Sequence, residues 1–306
     1  MSWSKSNEPT CTASASDAVE LLIRGKTHDI GGIAVRRVLP SQGRRMVGPV
    51  IFFDHIGPGD LPVGEGIDVR PHPHIGLSTV TYLFEGQLSH RDSLGMHQSI
   101  EPGAVNWMTA GRGIVHSERS GPEFRKTGGR LHGVQLWIAL PTDKEEVKPS
   151  FRHYPADSFK DARVGPVKVR VLAGEAYGVK SPVYVHSPLL YAEAHLPKES
   201  LLHLPGDLPE RAVYVVSGSV RCGKRGGGLS GPGEMLVFGE GEKVDIRSPH
   251  GAHVMIIAGE PVGRRYMEWN LVSSSRERIE KAKEDWRERR FPVVPGDEEE
   301  RIPLPE

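Results

Sequence analysis

Short apolar runs, each closed by glycine or proline, make up most of the chain. "GPVIFFDHIGPG", "LSTVTYLFEG", "AVNWMTAG", "HGVQLWIALP", "VKVRVLAG", "AVYVVSGSV", "EMLVFGEG" and "AHVMIIAGE" are rich in Val, Ile, Phe, Tyr and Trp. Runs of this length and composition predict short antiparallel strands, and hence an all-β sandwich or barrel. One segment departs from the pattern. In "SSSRERIEKAKEDWRERRF", Ile279, Ala282 and Trp286 recur at i, i+3 and i+7, which predicts one amphipathic helix packed against the β structure. Ser274 and Glu277 have the spacing of a capping box at its start. The following "FPVVPGDEEERIPLPE" predicts an extended tail. The N-terminal "MSWSKSNEPTCTASASDAVELLIRG" is polar and predicts a loosely held tail, with weak helical periodicity from Asp17.

Two stretches of the chain repeat. "TVTYLFEGQLSH" (79–90) aligns with "RAVYVVSGSVRC" (211–222), placing Gly86 opposite Gly218. "SIEPGAVNWM" (99–108) aligns with "GLSGPGEMLVF" (228–238), placing Gly103 opposite Gly233. Each half reads strand, glycine turn, strand, Pro-Gly turn, strand, so the expectation is two similar antiparallel barrels in tandem. The division expected is a tail at 1–20, an N-terminal barrel at 21–142, a linker at 143–160, a C-terminal barrel at 161–265, and a helix and tail at 266–306.

Composition narrows the function. Lys+Arg and Asp+Glu are 39 each over 306 residues, so no charge imbalance points to direct nucleic-acid or membrane-surface binding. No apolar run is long enough for a signal peptide or a membrane span. Cys11 and Cys222 provide neither a disulfide framework nor a CxxC zinc site, which fits a reducing cytoplasm.

Candidate chemistry lies in "PHPHIG". Residues two apart on a strand point to one side, so His72 and His74 face one cavity. His116 and Glu118 in "GRGIVHSE" repeat the spacing 42 residues after His74. Three imidazoles and a carboxylate suit a first-row transition metal such as Fe(II), Mn(II), Co(II), Ni(II) or Cu(II). A structural zinc site would more often use cysteine and be closed. The repeat alignment sets Leu204, Gly206, Ile246 and Ser248 opposite these four residues, so the second barrel is expected to serve the fold without a metal. His55 is expected either to line the mouth of the site or hydrogen-bond one of its ligands, or else to cap a turn. His90, His97 and His132 read as surface or hydrogen-bonded strand residues. Trp107 and Met108 read as core, and "GKRGGG" (223–228) as a hairpin loop rather than a phosphate cradle.

"HPHIGLSTVTYLFEG" together with "EPGAVNWMTAGRGIVHSE" resembles the pirin family of the cupin superfamily, and the likeness extends over nearly the whole chain. The resemblance implies a bicupin with iron bound in its N-terminal barrel by His72, His74, His116 and Glu118. Mn, Co, Ni, Cu and Zn are alternative metals. It further implies quercetin 2,3-dioxygenase activity on a small aromatic substrate and O₂, with Glu118 as candidate base. The alternative it carries is a non-catalytic iron-binding module that docks on a protein partner, as a transcriptional co-regulator or a modulator of metabolic enzymes. Ile75 stands where many relatives have arginine. That removes a guanidinium beside the site but no ligand.

Overall fold

A computed structural model of the chain describes residues 8–13, 18–30, 32–223 and 228–305. The β-branched runs form strands as their composition predicts, and these assemble into four principal antiparallel sheets. The first half builds a seven-stranded sheet in the spatial order Ser150–Tyr154, Val105–Thr109, Leu77–Glu85, Gly129–Ala139, Val50–Leu61, Ile33–Leu39, Lys26–Ile30. A four-stranded sheet of Asp68–His74, Ile114–Arg119, Leu88–Asp92 and His97–Ile100 closes it into a barrel. The barrel core holds Phe52, Leu77, Leu83 and Trp137 from the large sheet against Val69, Leu88, Ile100 and Ile114 from the small one.

The second half repeats this plan. Its large sheet has eight strands, including Val167–Ala173, Leu189–Leu196, Glu210–Gly218, Glu234–Phe238 and Ala252–Gly259. Its small sheet is Ser200–His203, Asp245–Ser248 and Arg221–Cys222. The chain is thus all-β, two tandem barrels with a C-terminal helix, as the pattern predicts. The two large sheets also stack on each other. Phe53, Tyr82, Val134 and Leu136 of one interdigitate with Tyr191, Tyr214, Val237 and Met255 of the other in a single buried cluster. Both faces of each large sheet are therefore covered. This is why "VIFF" and "AVYVV" are continuous apolar runs, not the alternating pattern of a half-exposed sheet.

Several local expectations give way to long-range pairing. Residues 10–13 and 19–20 lie in the stretch expected as a tail. Yet Thr10–Ala13 and Val19–Arg24 are strands, and Val19–Arg24 pairs with Glu234–Phe238 of the second half. The weak helical periodicity from Asp17 loses to the free sheet edge that this strand fills. Ser150–Tyr154, expected in the linker, pairs with Val105–Thr109 of the first half. We propose the 143–160 boundary for the covalent order of the halves only, because hydrogen bonding crosses it in both directions. The hairpin loop expected at 223–228 falls largely on 224–227, and parts of the expected tail on 1–7 and 14–17, all outside the described residues.

The helix forms at Arg276–Arg287 and buries Ile279, Ala282 and Trp286. Its cap is one residue later than the capping-box reading. Ser275 Oγ accepts from Arg278 N at 3.2 Å, while Ser274 Oγ donates to Glu145 at 3.0 Å. The helix lies on the first barrel, against Ile75 and Leu271, with Trp286 and Phe291 near Val115. The tail continues over the same face, where Ile302 N donates to the Pro71 carbonyl at 2.9 Å. Among the described residues, no helix is long and apolar enough to cross a membrane.

Ile23 tests the crossing strand, because it is fully buried in the cluster between the large sheets. Ile23→Ala is expected to lower unfolding free energy by about 2–5 kcal/mol, read from urea denaturation. A loss under about 1 kcal/mol would show that the segment contributes nothing to the shared core.

Candidate metal centre

The Asp68–His74 and Ile114–Arg119 strands run antiparallel, with His72 opposite His116 and His74 opposite Ile114. Two-residue spacing puts the His72 and His74 imidazoles on one face. The register shifts between His116 and Glu118, because Glu118 meets Val69. One extra residue is thereby accommodated at Arg70–Pro71, a bulge at which proline's missing N–H costs no ladder bond. The strand ends at His74 and the chain bends at Gly76, which has φ +66°, where a Cβ would lie 2.0 Å from the Val272 carbonyl oxygen. Glycine is required for the chain to turn away directly after the histidines.

His72, His74 and His116 are 0%, 1% and 1% exposed, and one ligand nitrogen from each lies within 4.8 Å of the others. Second partners fix the ring orientations. His72 Nδ1 donates to the Arg70 carbonyl at 2.8 Å, and His74 Nδ1 to the Asn270 carbonyl at 2.9 Å. Behind His116, Nδ1 meets His90 Nδ1 at 3.4 Å, and His90 Nε2 donates to Asp92 Oδ2 at 3.0 Å. Asp92 Oδ1 accepts the backbone N–H groups of Leu94 and Met96 at 2.8 and 3.2 Å, so the hairpin holds this chain in place. With each Nδ1 engaged, each Nε2 carries its lone pair inward. His72 Nε2 and His116 Nε2 have no hydrogen-bond partner despite full burial. Burial holds all three imidazoles neutral, lowering His74 to about 3 and the other two well below their usual range. Converging neutral nitrogens with unmet lone pairs are the donor set that a divalent transition metal takes.

Glu118 stands outside this group of three. Its Oε1 accepts from Thr81 Oγ1 at 3.1 Å and from Gln135 Nε2 at 2.8 Å, and its Oε2 lies 2.7 Å from the same amide nitrogen. The fourth ligand of the expected set is thus engaged by the facing sheet. It borders a narrow cavity lined by Ile30, Val35, Ile56, Ile67, Val69, Leu88 and Gln135. Trp137 closes the other side of the site, with its ring edge-on to His74 at 5.0 Å.

The remaining histidines separate clearly. His55 lies between the barrels and neither lines the site nor caps a turn. Its Nδ1 pairs with Tyr214 Oη at 2.7 Å and its Nε2 with His132 Nε2 at 2.8 Å. His97 bonds Ser89 at the barrel edge. His90 is a hydrogen-bonded strand residue, and its partner is the candidate ligand His116. "SHRD" carries the signal for it, since His90 and Asp92 repeat the two-residue spacing of the ligands. Trp107 is buried between the sheets and Met108 inside the first barrel. In the second barrel Leu204 and Ile246 are core, and Ser248 Oγ donates to the Ser219 carbonyl at 3.3 Å.

Two stacked antiparallel barrels with a histidine centre in the first define a bicupin. Residues 32–138 match the Pirin family and residues 191–292 match the Pirin C-terminal cupin domain, and the chain belongs to the pirin family. It is 48% identical over 292 residues to a pirin-like protein of Caulobacter vibrioides, covering 94% of this chain and 100% of that one. It is 32% identical to pirin of Rattus norvegicus, covering 89% of this chain and 93% of that one. A crystal structure of quercetin 2,3-dioxygenase from Acinetobacter baumannii superposes with a TM-score of 0.85 at 34% identity, covering 93% of this chain and 94% of that one.

Two outcomes follow from these contacts. His90→Phe keeps the ring stacked on Phe151, now 4.3 Å away, but removes the acceptor behind His116. Metal affinity should fall about 10–100-fold in competition with a chelator, and unchanged affinity would remove His90 from the centre. The second concerns His55, which burial lowers to about 3, aided by His132, Arg36 and His253. The folded protein keeps it neutral, whereas the unfolded chain takes a proton near pH 6.5. Its stability contribution is full above about pH 6.5 and declines as pH falls toward about 3. His55→Gln should flatten the pH slope of metal-free stability by up to about 1.4 kcal/mol per pH unit, measured by urea denaturation at stepped pH. An identical slope in both proteins would refute it.

Proposed function

We propose that this protein is a metal-dependent dioxygenase of the quercetin 2,3-dioxygenase type, acting on a flavonol or a similar aromatic with O₂. The observation that carries the reading is the convergence of three buried, neutral imidazoles, two of which, His72 and His116, have inward nitrogens without a hydrogen-bond partner. The likeness to a quercetin 2,3-dioxygenase structure supports it. His72, His74 and His116 would hold iron(II), with Glu118 completing the set. Mn, Co, Ni, Cu or Zn are other occupants of the same donors. Iron(II) bound there would supply Lewis acidity toward the substrate and redox chemistry toward O₂.

The chain's own groups have definable tasks. Glu118 is the acceptor for the substrate hydroxyl proton. Gln135 and Thr81 orient its carboxylate until that transfer. The apolar walls around it, Val35, Ile56 and Val69, keep water from the carboxylate. Ring opening then converts flavonol and O₂ into a depside ester and carbon monoxide. A cytoplasmic location belongs to this reading and agrees with the free thiols of Cys11 and Cys222.

Aerobic incubation of the Fe(II)-loaded protein with quercetin, followed by loss of flavonol absorbance, tests the activity. Glu118→Gln should retain metal but lose about 10²–10⁴-fold in turnover. His72→Ala with His116→Ala should lose both metal and turnover. No metal-dependent turnover, with an iron-dependent partner recovered by pull-down, would replace the enzyme with a regulatory docking module.

A further inference from the structure

A second group of ligand atoms lies outside the first barrel. Glu193, His195 and His253 each bring one donor atom within 4.8 Å of the others. Their placement follows the same strand logic as the first centre. Glu193 and His195 are two apart on Leu189–Leu196, and His195 is the direct cross-strand partner of His253 on Ala252–Gly259. Ala192, Ala194, Val254 and Ile256 point into the second barrel, so these three residues point out of it, toward the first. The group is therefore separate from the second barrel's own interior, where Leu204 and Ile246 replace ligands.

The geometry is that of a preformed face of a coordination sphere. Glu193 Oε1 lies 2.8 Å from His253 Nε2 and 3.2 Å from His195 Nε2. Metal–ligand distances of about 2.0–2.2 Å in a tetrahedral site require ligand atoms about 3.3 Å apart, so both carboxylate–imidazole pairs are already close to that spacing and the two nitrogens lie within 4.8 Å of each other. The two imidazoles stack at 4.3 Å and 19°, with both Nε2 atoms close to one carboxylate oxygen. His253 Nε2 is buried, yet it makes no properly directed hydrogen bond even at 2.8 Å from the carboxylate. The other carboxylate oxygen is held from across the seam, where the Tyr82 hydroxyl of the first barrel donates to Glu193 Oε2 at 2.6 Å. The Phe84 ring sits edge-on against His253 at 4.6 Å. The His195 side chain is 52% exposed, so an ion can enter from solvent and keep water as its remaining ligand.

We propose that Glu193, His195 and His253 form a second divalent-cation site, at the seam between the barrels, selective for Zn(II), Co(II) or Ni(II) over Mg(II) or Ca(II). Two imidazoles and one carboxylate are the ligand types that favour such ions over hard, oxygen-seeking ones. The site would tie Glu193, already bonded to Tyr82, to both strands of the second barrel and so stiffen the seam. It qualifies the expectation that the second half is metal-free, since the ion would sit on the outer face of that half.

The test is Co(II) titration of the metal-stripped full chain, read by calorimetry and visible absorption, in parallel with two double variants. His195→Ala with His253→Ala should bind one equivalent fewer than wild type. His72→Ala with His116→Ala should retain the equivalent that the first double variant loses. The single variant His195→Ala, changed at a half-exposed position, should weaken that same equivalent at least 10-fold with no change in the folded-state spectrum. Equal stoichiometry in wild type and the His195→Ala, His253→Ala variant would overturn the proposal. Failure of the first barrel to bind would leave that comparison intact, because it removes the other equivalent.

Discussion

The stacking of the two large sheets is the constraint on which the rest of the structure depends. Covering both faces of each sheet buries Phe53, Tyr82, Leu136, Tyr191, Tyr214 and Met255 in one cluster. A polar group on those faces gains from a protein partner, because water does not reach it. His55 answers with Tyr214 and His132, and Tyr82 with Glu193. Within the first barrel the fully buried Arg37 and Asp54 meet through two contacts of 2.8 and 2.7 Å. Removing either partner would leave a buried charge unpaired, which costs far more than the pair contributes.

Against that rigid backing the small sheet presents the histidines. Their rings are set by what lies behind them: the Arg70 carbonyl, the Asn270 carbonyl, and the chain from His90 to Asp92. The C-terminal helix and tail press on the same strands from outside, through Ile75, Val115 and the Pro71 carbonyl. The centre is therefore held from inside the barrel and from its outer surface. Such double support keeps ligand nitrogens converging in the absence of the ion.

What the sequence made legible is what local periodicity encodes. The two-residue spacing of His72 and His74, the strand runs, the internal repeat and the buried face of the helix all appear where the pattern puts them. Glu118 shares that spacing with His116, but its carboxylate is engaged by Gln135 and Thr81, whose approach depends on how two sheets face each other. The same limit applies to Val19–Arg24, whose partner is more than 200 positions away at Glu234–Phe238. Glu193, His195 and His253 did carry a readable spacing, but only cross-strand pairing joins the third residue to the first two.

The crossing of Val19–Arg24 into the second half bears on how the molecule is made. A chain emerging from the ribosome exposes these apolar residues well before their partner strand Glu234–Phe238, which lies more than 200 positions later. Until then Leu21, Leu22 and Ile23 form an unpaired edge, the kind of surface that invites wrong pairing and chaperone capture. The sheet closes only when a strand of the first half pairs with one of the second. Neither half can be cut free at the linker without leaving the other with an open edge.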